Sequence, residues 1–230
     1  MPSTSRLLRA VGADLLSFLL AASCAGCDEP GAVLCTPCRA RLGASPFELR
    51  TPAGLRVVAA LPFESVAALC IRRLKDAGET VLARPLGSVL REVLRPELAK
   101  ADAEASAWAV PVPTSRRSYR RRGYRVPELL IRGAGEDPHP LLVLDRRSAD
   151  QRGLDAEQRI ENVRGSMRAR RRGRGESVVL VDDVLTTGAT FDEAARALGD
   201  AGFEVVSAVA LAATPRLSER NANASGTRRK

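Results

Sequence analysis

The chain has 230 residues, 45% hydrophobic but only 3% aromatic, which suits one mid-sized domain plus a small one with a core of Leu, Val and Ala. Its net charge of +9 is carried almost wholly by arginine, which points to phosphorylated ligands or nucleic acid, or simply to a solvated basic surface. No stretch reaches the ~20 consecutive apolar residues of a helical membrane span.

Residues 5–21 are predicted to form an amphipathic helix, because Leu7, Val11, Leu15 and Leu19 recur every fourth residue. Arg6 and Arg9 ahead of an apolar run that ends at Cys24 also fit a lipoprotein signal peptide, although Asp14 interrupts that run. Next come two CxxC knuckles, Cys24-Ala25-Gly26-Cys27 and Cys35-Thr36-Pro37-Cys38. Two knuckles at this range let four thiolates close a tetrahedron around one zinc ion with no position left for water, so the expected metal is structural. A pair of disulfides is the alternative and needs an oxidising compartment; the expected setting is the cytoplasm. A segment this short has too little core to fold alone, and structural zinc supplies on the order of 10 to 16 kcal/mol.

Gly43 to Gly54, with Pro46 and Pro52, reads as a linker. Leu55 to Leu61 is a candidate strand, and Val66–Leu74 and Val81–Leu94 are candidate helices separated by Gly78. Cys70 lies in the first of these and is expected to be a buried free thiol. Ala107–Val112 and Leu141–Leu144 read as short strands, and His139, between two prolines, as a surface loop position. Arginines crowd two places: 116, 117, 120, 121, 122 and 125, interleaved with Tyr119 and Tyr124, and then 168, 170, 171, 172 and 174. The second group, with Gly173 and Gly175, reads as a solvated surface loop. Ser177–Val181 is a continuous apolar run and hence a strand buried on both faces. Phe191–Leu198 is a helix, Phe203–Leu211 a further strand, and 216–230 a polar tail expected to be disordered. Strands alternating with helices predict an α/β fold on a parallel sheet, with ligands bound at the carboxyl ends of the strands. The expected division is 1–45 for the helix and zinc module, 55–215 for the main domain and 216–230 for the tail.

The stretch from Val178 to Thr190 carries the chemistry. A buried strand delivers Asp182 and Asp183, a turn of Thr186, Thr187 and Gly188 follows, and then Ala189 and Thr190 open a helix. Backbone N–H groups converging at a helix N-terminus suit a phosphate, and Gly188 lets the main chain come close. No lysine follows the turn, which argues against a nucleoside triphosphate loop. Twin carboxylates would repel the phosphate but can accept hydrogen bonds from the hydroxyls of an attached sugar. A ribose 5-phosphate meets both demands. The plain alternative is a strand end followed by a helix capped by Thr187.

This stretch resembles the phosphoribosyl-pyrophosphate (PRPP) binding signature of type I phosphoribosyltransferases. With the CxxC pairs, the chain is similar to the ComF family (ComF/GntX-like). Lys75 resembles that family's early lysine. Val110-Pro111-Val112-Pro113 followed by Arg122-Gly123-Tyr124 resembles its VPVP…RGF stretch, and Gln151, Leu154, Arg159, Asn162, Val163 and Gly165 resemble its Q..L….R..NV.G stretch. The chain departs from the family where RGF is followed by Asn-Gln; here Arg125-Val126 stand.

The resemblance implies a type I phosphoribosyltransferase-like sheet flanked by helices, with PRPP as ligand. Asp182 and Asp183 would hold the ribose and, indirectly, a Mg2+ ion. The stretch Thr186, Thr187, Gly188, Ala189 and Thr190 would hold the 5-phosphate, and Arg116 and Arg122 would contact pyrophosphate or nucleic acid. A lid containing Gln151, Arg159 and Asn162 would close over the site. The implied setting is DNA uptake during competence. The second implied reading is a non-catalytic adaptor that binds single-stranded DNA and docks a competence helicase.

Overall fold

A computed structural model describes residues 23–100, 107–145 and 164–214 of the chain. The predicted helix over 5–21, the lid residues Gln151, Arg159 and Asn162, and the polar tail lie outside the described residues.

After a short helix α1 (Thr36–Arg41), the chain lays down β1 (Phe47–Arg50) and β2 (Arg56–Pro62). The helix α2 (Ser65–Arg72) follows and continues as a π-helical turn, Arg73–Ala77, that ends on Gly78. A 3-10 turn, Thr80–Leu82, leads into α3 (Ala83–Ala99) and then β3 (Trp108–Pro111). The helices α4 (Arg116–Arg122) and α5 (Val126–Gly133) come next, followed by β4 (Leu142–Leu144) and β5 (Met167–Ala169). The chain then forms β6 (Ser177–Leu185), α6 (Ala189–Gly199) and β7 (Glu204–Ala213).

The central sheet has the order β1-β2-β7-β6-β3. Only β1 runs antiparallel, paired with β2; β2, β7, β6 and β3 are mutually parallel. Their residues are apolar without alternation, as in Val57-Val58-Ala59-Ala60-Leu61 and Ala208 to Ala213, because both faces of a parallel sheet are covered. One face carries α2, α3 and α5 together with Cys24, Leu34 and Cys38. The other carries α6 and the β4–β5 hairpin.

The many alanines of the sheet bring the layers close, and the helices do the same. A Cβ on Gly87 of α3 would sit 2.5 Å from the Cα of Gly133 in α5, so the two backbones touch and neither position tolerates a side chain.

Several expectations are corrected. The stretch read as a linker contains β1, whose Phe47 and Leu49 pack on the sheet while Glu48 and Arg50 face water. The strand predicted to stop at Val181 continues to Leu185, so the aspartates lie within it. The strand around Leu142 pairs antiparallel with β5 in a separate two-stranded sheet. The arginine-rich run 116–122 is a helix. The second arginine group begins on β5 with Arg168 and is partly packed: the Arg171 guanidinium lies 5.1 Å from the Trp108 ring and 5.0 Å from that of Phe203. His139 lies in a loop as expected, half-buried, with its ring stacked on Trp108 at 5.1 Å and its backbone N–H donating to the Ala109 carbonyl. Cys70 is, as expected, a buried free thiol, and burial pushes it up to about 11.

Candidate functional site

The site lies where adjacent strands send their connections to opposite faces. β3 leads to α5 on one face, whereas β6 leads to α6 on the other, which opens a crevice at their carboxyl ends. The Val112 N–H donates to the Val181 carbonyl at 2.9 Å, so the run into α4 starts beside the aspartates.

The turn Thr186–Gly188 connects β6 to α6. Thr186 and Thr187 are exposed, Ala189 and Thr190 are half-buried and Gly188 is buried, so the turn opens to solvent at its threonines. Gly188 is the helix N-cap with φ of 86°, a left-handed conformation that favours glycine. A Cβ there would lie 3.0 Å from Thr51 and Pro52, so the β1–β2 turn packs against this point. The first bond of the helix runs from the Asp192 N–H to the Gly188 carbonyl at 3.0 Å. The amides of Gly188, Ala189, Thr190 and Phe191 therefore have no acceptor within the helix. Ala189 makes only a long contact of 3.4 Å to Thr187 Oγ1. These amides and the helix dipole present partial positive charge to any anion at the turn.

Asp183 is buried, and its Oδ1 pairs with Lys75 Nζ at 2.9 Å. Asp182 Oδ1 accepts the Asp183 N–H at 2.8 Å. Loss of water pushes the Asp182 carboxyl well above its usual range, the neighbouring Asp183 charge pushes it further, and Lys75 pulls the other way. Such a carboxylate gains from any hydroxyl donor or cation that supplies the missing partner. Two carboxylates are also hard oxygen donors of the kind Mg2+ takes.

The arginines sort into distinct groups. Ser115 caps α4 by accepting the Ser118 N–H at 3.1 Å, and Gly123 ends the helix. Arg121 donates to Asp76 at 3.0 Å, and Arg122 lies 3.8 Å from the same carboxylate. Arg122 is the more buried of the two, and its Nε has no hydrogen-bond partner among the described residues. Arg125 stacks over the Tyr119 ring at 4.5 Å. Arg116, Arg117 and Arg120 are exposed on α4 with no carboxylate partner among the described residues. Of the two arginines expected at the ligand, Arg122 is held against the Asp76 turn, whereas Arg116 stands free at the start of the helix.

Sequence reasoning missed two supports. One is the β1–β2 turn, whose Ala53 N–H donates to Asp192 Oδ2 at 3.1 Å. Thr51-Pro52-Ala53-Gly54 was legible as a turn, but nothing in it names the helix it packs on. The other is the pairing of Lys75 with Asp183, groups 108 positions apart, as 183 less 75 gives.

The four knuckle cysteines converge, with all sulfurs within 4.8 Å of one another. Cys24 and Cys38 are buried, Cys27 is exposed, and all are free thiols. The N–H groups of Cys35 and Gly26 donate to Cys24 Sγ at 3.3 and 3.4 Å. Burial raises the Cys24 thiol, but these donors outweigh it and hold the thiol below its ordinary range, whereas burial and then the neighbouring Cys35 push the Cys38 thiol up. Four sulfurs so placed could hold one metal ion. The cluster is not isolated: a Cβ on Gly26 would meet Cys38 Sγ at 2.7 Å and Val66 of α2 at 2.9 Å.

A family model described as "Phosphoribosyl transferase domain" matches residues 120–226. Among curated proteins, the DNA utilization protein YhgH of Salmonella typhimurium is 26% identical, over 76% of this chain and 77% of its own. Among solved structures, an adenine phosphoribosyltransferase aligns at a TM-score of 0.39 and 13% identity, covering 80% of this chain and 94% of its own. Adenine phosphoribosyltransferase from Saccharomyces cerevisiae aligns at 0.39 and 14%, covering 81% and 94%.

Proposed function

We propose that this chain, a phosphoribosyltransferase-type protein of the ComF family, binds a ribose 5-phosphate ligand, PRPP above all, at the carboxyl ends of β3 and β6. The observation that carries the reading is the turn Thr186–Thr190 after the two aspartates: among the described residues the amides of Gly188, Thr190 and Phe191 have no acceptor, and that of Ala189 has only a long contact to Thr187 Oγ1. The amides of Gly188, Ala189, Thr190 and Phe191 take the 5-phosphate, and the hydroxyls of Thr186 and Thr187 add donors. Asp182 and Asp183 accept from the ribose hydroxyls. Arg122, whose Nε has no hydrogen-bond partner among the described residues, and Arg116 would contact the pyrophosphate.

A Mg2+ ion held through the ribose beside Asp182 and Asp183 would neutralise the departing pyrophosphate. The chain's own part in transfer is positioning and charge stabilisation around the anomeric carbon, where pyrophosphate leaves and a nucleophile arrives. The metal of the Cys24, Cys27, Cys35 and Cys38 cluster is zinc, closed by four thiolates and structural in role.

Calorimetric titration with PRPP and Mg2+ tests the pocket. Wild type should bind at a single site, and Asp183→Ala should bind at least roughly tenfold more weakly, as loss of a charge-assisted hydrogen bond requires. Silence from both proteins rejects the reading.

A second reading, an adaptor for single-stranded DNA in DNA uptake, is favoured by Arg116, Arg117 and Arg120, exposed on α4 without a carboxylate partner among the described residues, and by the likeness to a DNA utilization protein. Replacing these three with Gln should weaken oligonucleotide binding across all sequences and flatten its salt dependence. Indifference to oligonucleotide at low salt removes this reading and leaves the pocket untouched.

A further inference from the structure

Among the described residues, Lys75 is the cation paired with a carboxylate of the pocket, its Nζ 2.9 Å from Asp183 Oδ1. The chain uses lysine at only three positions, 75, 100 and 230, and arginine everywhere else it needs positive charge. A lysine differs from arginine in having a compact charge on a flexible stem, with three donors free to rotate from one acceptor to another. Arginine's planar fork suits a fixed partner instead.

The setting of Lys75 matches that difference. It sits on the π-helical turn Arg73–Ala77, a rare conformation that is over-represented at functional sites. The residues on either side tie this turn to α4 and its flank. The Leu74 carbonyl accepts the Tyr124 hydroxyl, and Asp76 accepts from Arg121 and lies near Arg122. The backbone of the turn is thus held on the arginine side, while the Lys75 side chain reaches across to Asp183 at 2.9 Å. The turn joins the Asp183 carboxylate, through Lys75, to the arginines of α4, through Asp76.

We infer that Lys75 is an exchangeable partner: it neutralises Asp183 in the empty pocket and turns to the pyrophosphate group when ribose hydroxyls take its place on Asp183. This rests on the ribose-phosphate reading of the pocket and adds the residue that selects pyrophosphorylated ligands. A ribose 5-phosphate gains nothing from the lysine and must compete with it for Asp183. A ligand that also carries pyrophosphate gives the displaced ammonium a new and more highly charged acceptor.

The test compares PRPP, inorganic pyrophosphate and ribose 5-phosphate, each titrated with Mg2+ into wild type, Lys75→Met, Lys75→Gln and Lys75→Arg. Loss of one charge-assisted contact predicts a drop of roughly tenfold to a hundredfold for PRPP and pyrophosphate in the Met and Gln variants. Ribose 5-phosphate affinity should be unchanged or higher in the same variants, and Lys75→Arg should recover part of the PRPP affinity. An equal loss for all three ligands, or no loss for any, overturns the inference while the pocket stands. So does unfolding of both neutral variants, which would make Lys75 a structural counter-ion. A wild type that binds none of the three removes the pocket reading and this inference with it.

Discussion

Gly188 shows how much one residue can fix. Its φ of 86° and the 3.0 Å approach of Thr51 and Pro52 both exclude a side chain. Gly188→Ala should cost about 1 to 3 kcal/mol of stability and weaken ribose 5-phosphate binding, to be read by thermal melts and calorimetry. The need for a glycine was legible, since a turn approaching a phosphate requires one. The identity of the packing partner was not, because Thr51 is remote in the chain.

Asp182 yields a pH prediction. Its carboxyl is raised in the folded chain, chiefly by loss of water and next by Asp183. The folded state therefore holds this proton more tightly than the unfolded one. Stability contributed by the protonated form is complete below the ordinary carboxylate range and is lost as pH rises through the raised value. Asp182→Asn should melt higher than wild type at mildly alkaline pH and level with it at acid pH, while losing ligand affinity. A variant less stable than wild type at alkaline pH would contradict this account of the carboxylate.

At the scale of elements, the long apolar strands were legible and the polar ones were not. β6 and β7 announce themselves because burial on both faces leaves continuous Val and Ala runs. β1 carries only Phe47 and Leu49 between two prolines, so its short alternation was lost in a turn-rich context. α4 has no apolar stripe at all; its helix depends on the Ser115 cap, the Gly123 stop and contacts to Asp76. The same blindness applies to the ion pairs that join elements.

Glu97 of α3, only 4% exposed, accepts from Arg56 at the start of β2 at 2.6 Å and from Ser207 of β7 at 2.8 Å. Arg56 and Ser207 lie toward the amino ends of their strands, away from the ligand crevice. Glu97→Ala takes one of the two carboxylates from Arg56, which keeps Glu48, and strips the buried Ser207 hydroxyl of its acceptor; it should cost about 1 to 3 kcal/mol, with ligand affinity in the folded protein unchanged. Denaturant unfolding and calorimetry together separate the two effects; a change in affinity without a change in stability would place Glu97 in the site.

At the scale of the whole molecule, the cysteine cluster and the domain share one core. Cys24 and Cys38 belong to the same buried cluster as Val66, Cys70 and Leu74 of α2 and its extension. That extension carries Lys75, so the cysteine cluster packs on the same helix that reaches Asp183. Chelation, or Cys38→Ser, should lower the melting temperature of the entire domain in one transition, with metal loss followed by elemental analysis. Two separate transitions would show that the module melts by itself. The CxxC spacing predicted the cluster, but the sequence carried no sign that it packs on α2, since Gly26 and Val66 meet only in the fold.

The central claim is that main-chain amides at the start of α6 take a phosphate beside the twin aspartates. Amide-resolved NMR of the isotopically labelled full chain, titrated with ribose 5-phosphate, reads those groups directly. Saturable shifts should concentrate at Gly188, Ala189, Thr190 and Phe191, with smaller ones at Asp182 and Asp183. Shifts absent there, or gathered instead on the exposed arginines of α4, would contradict the claim.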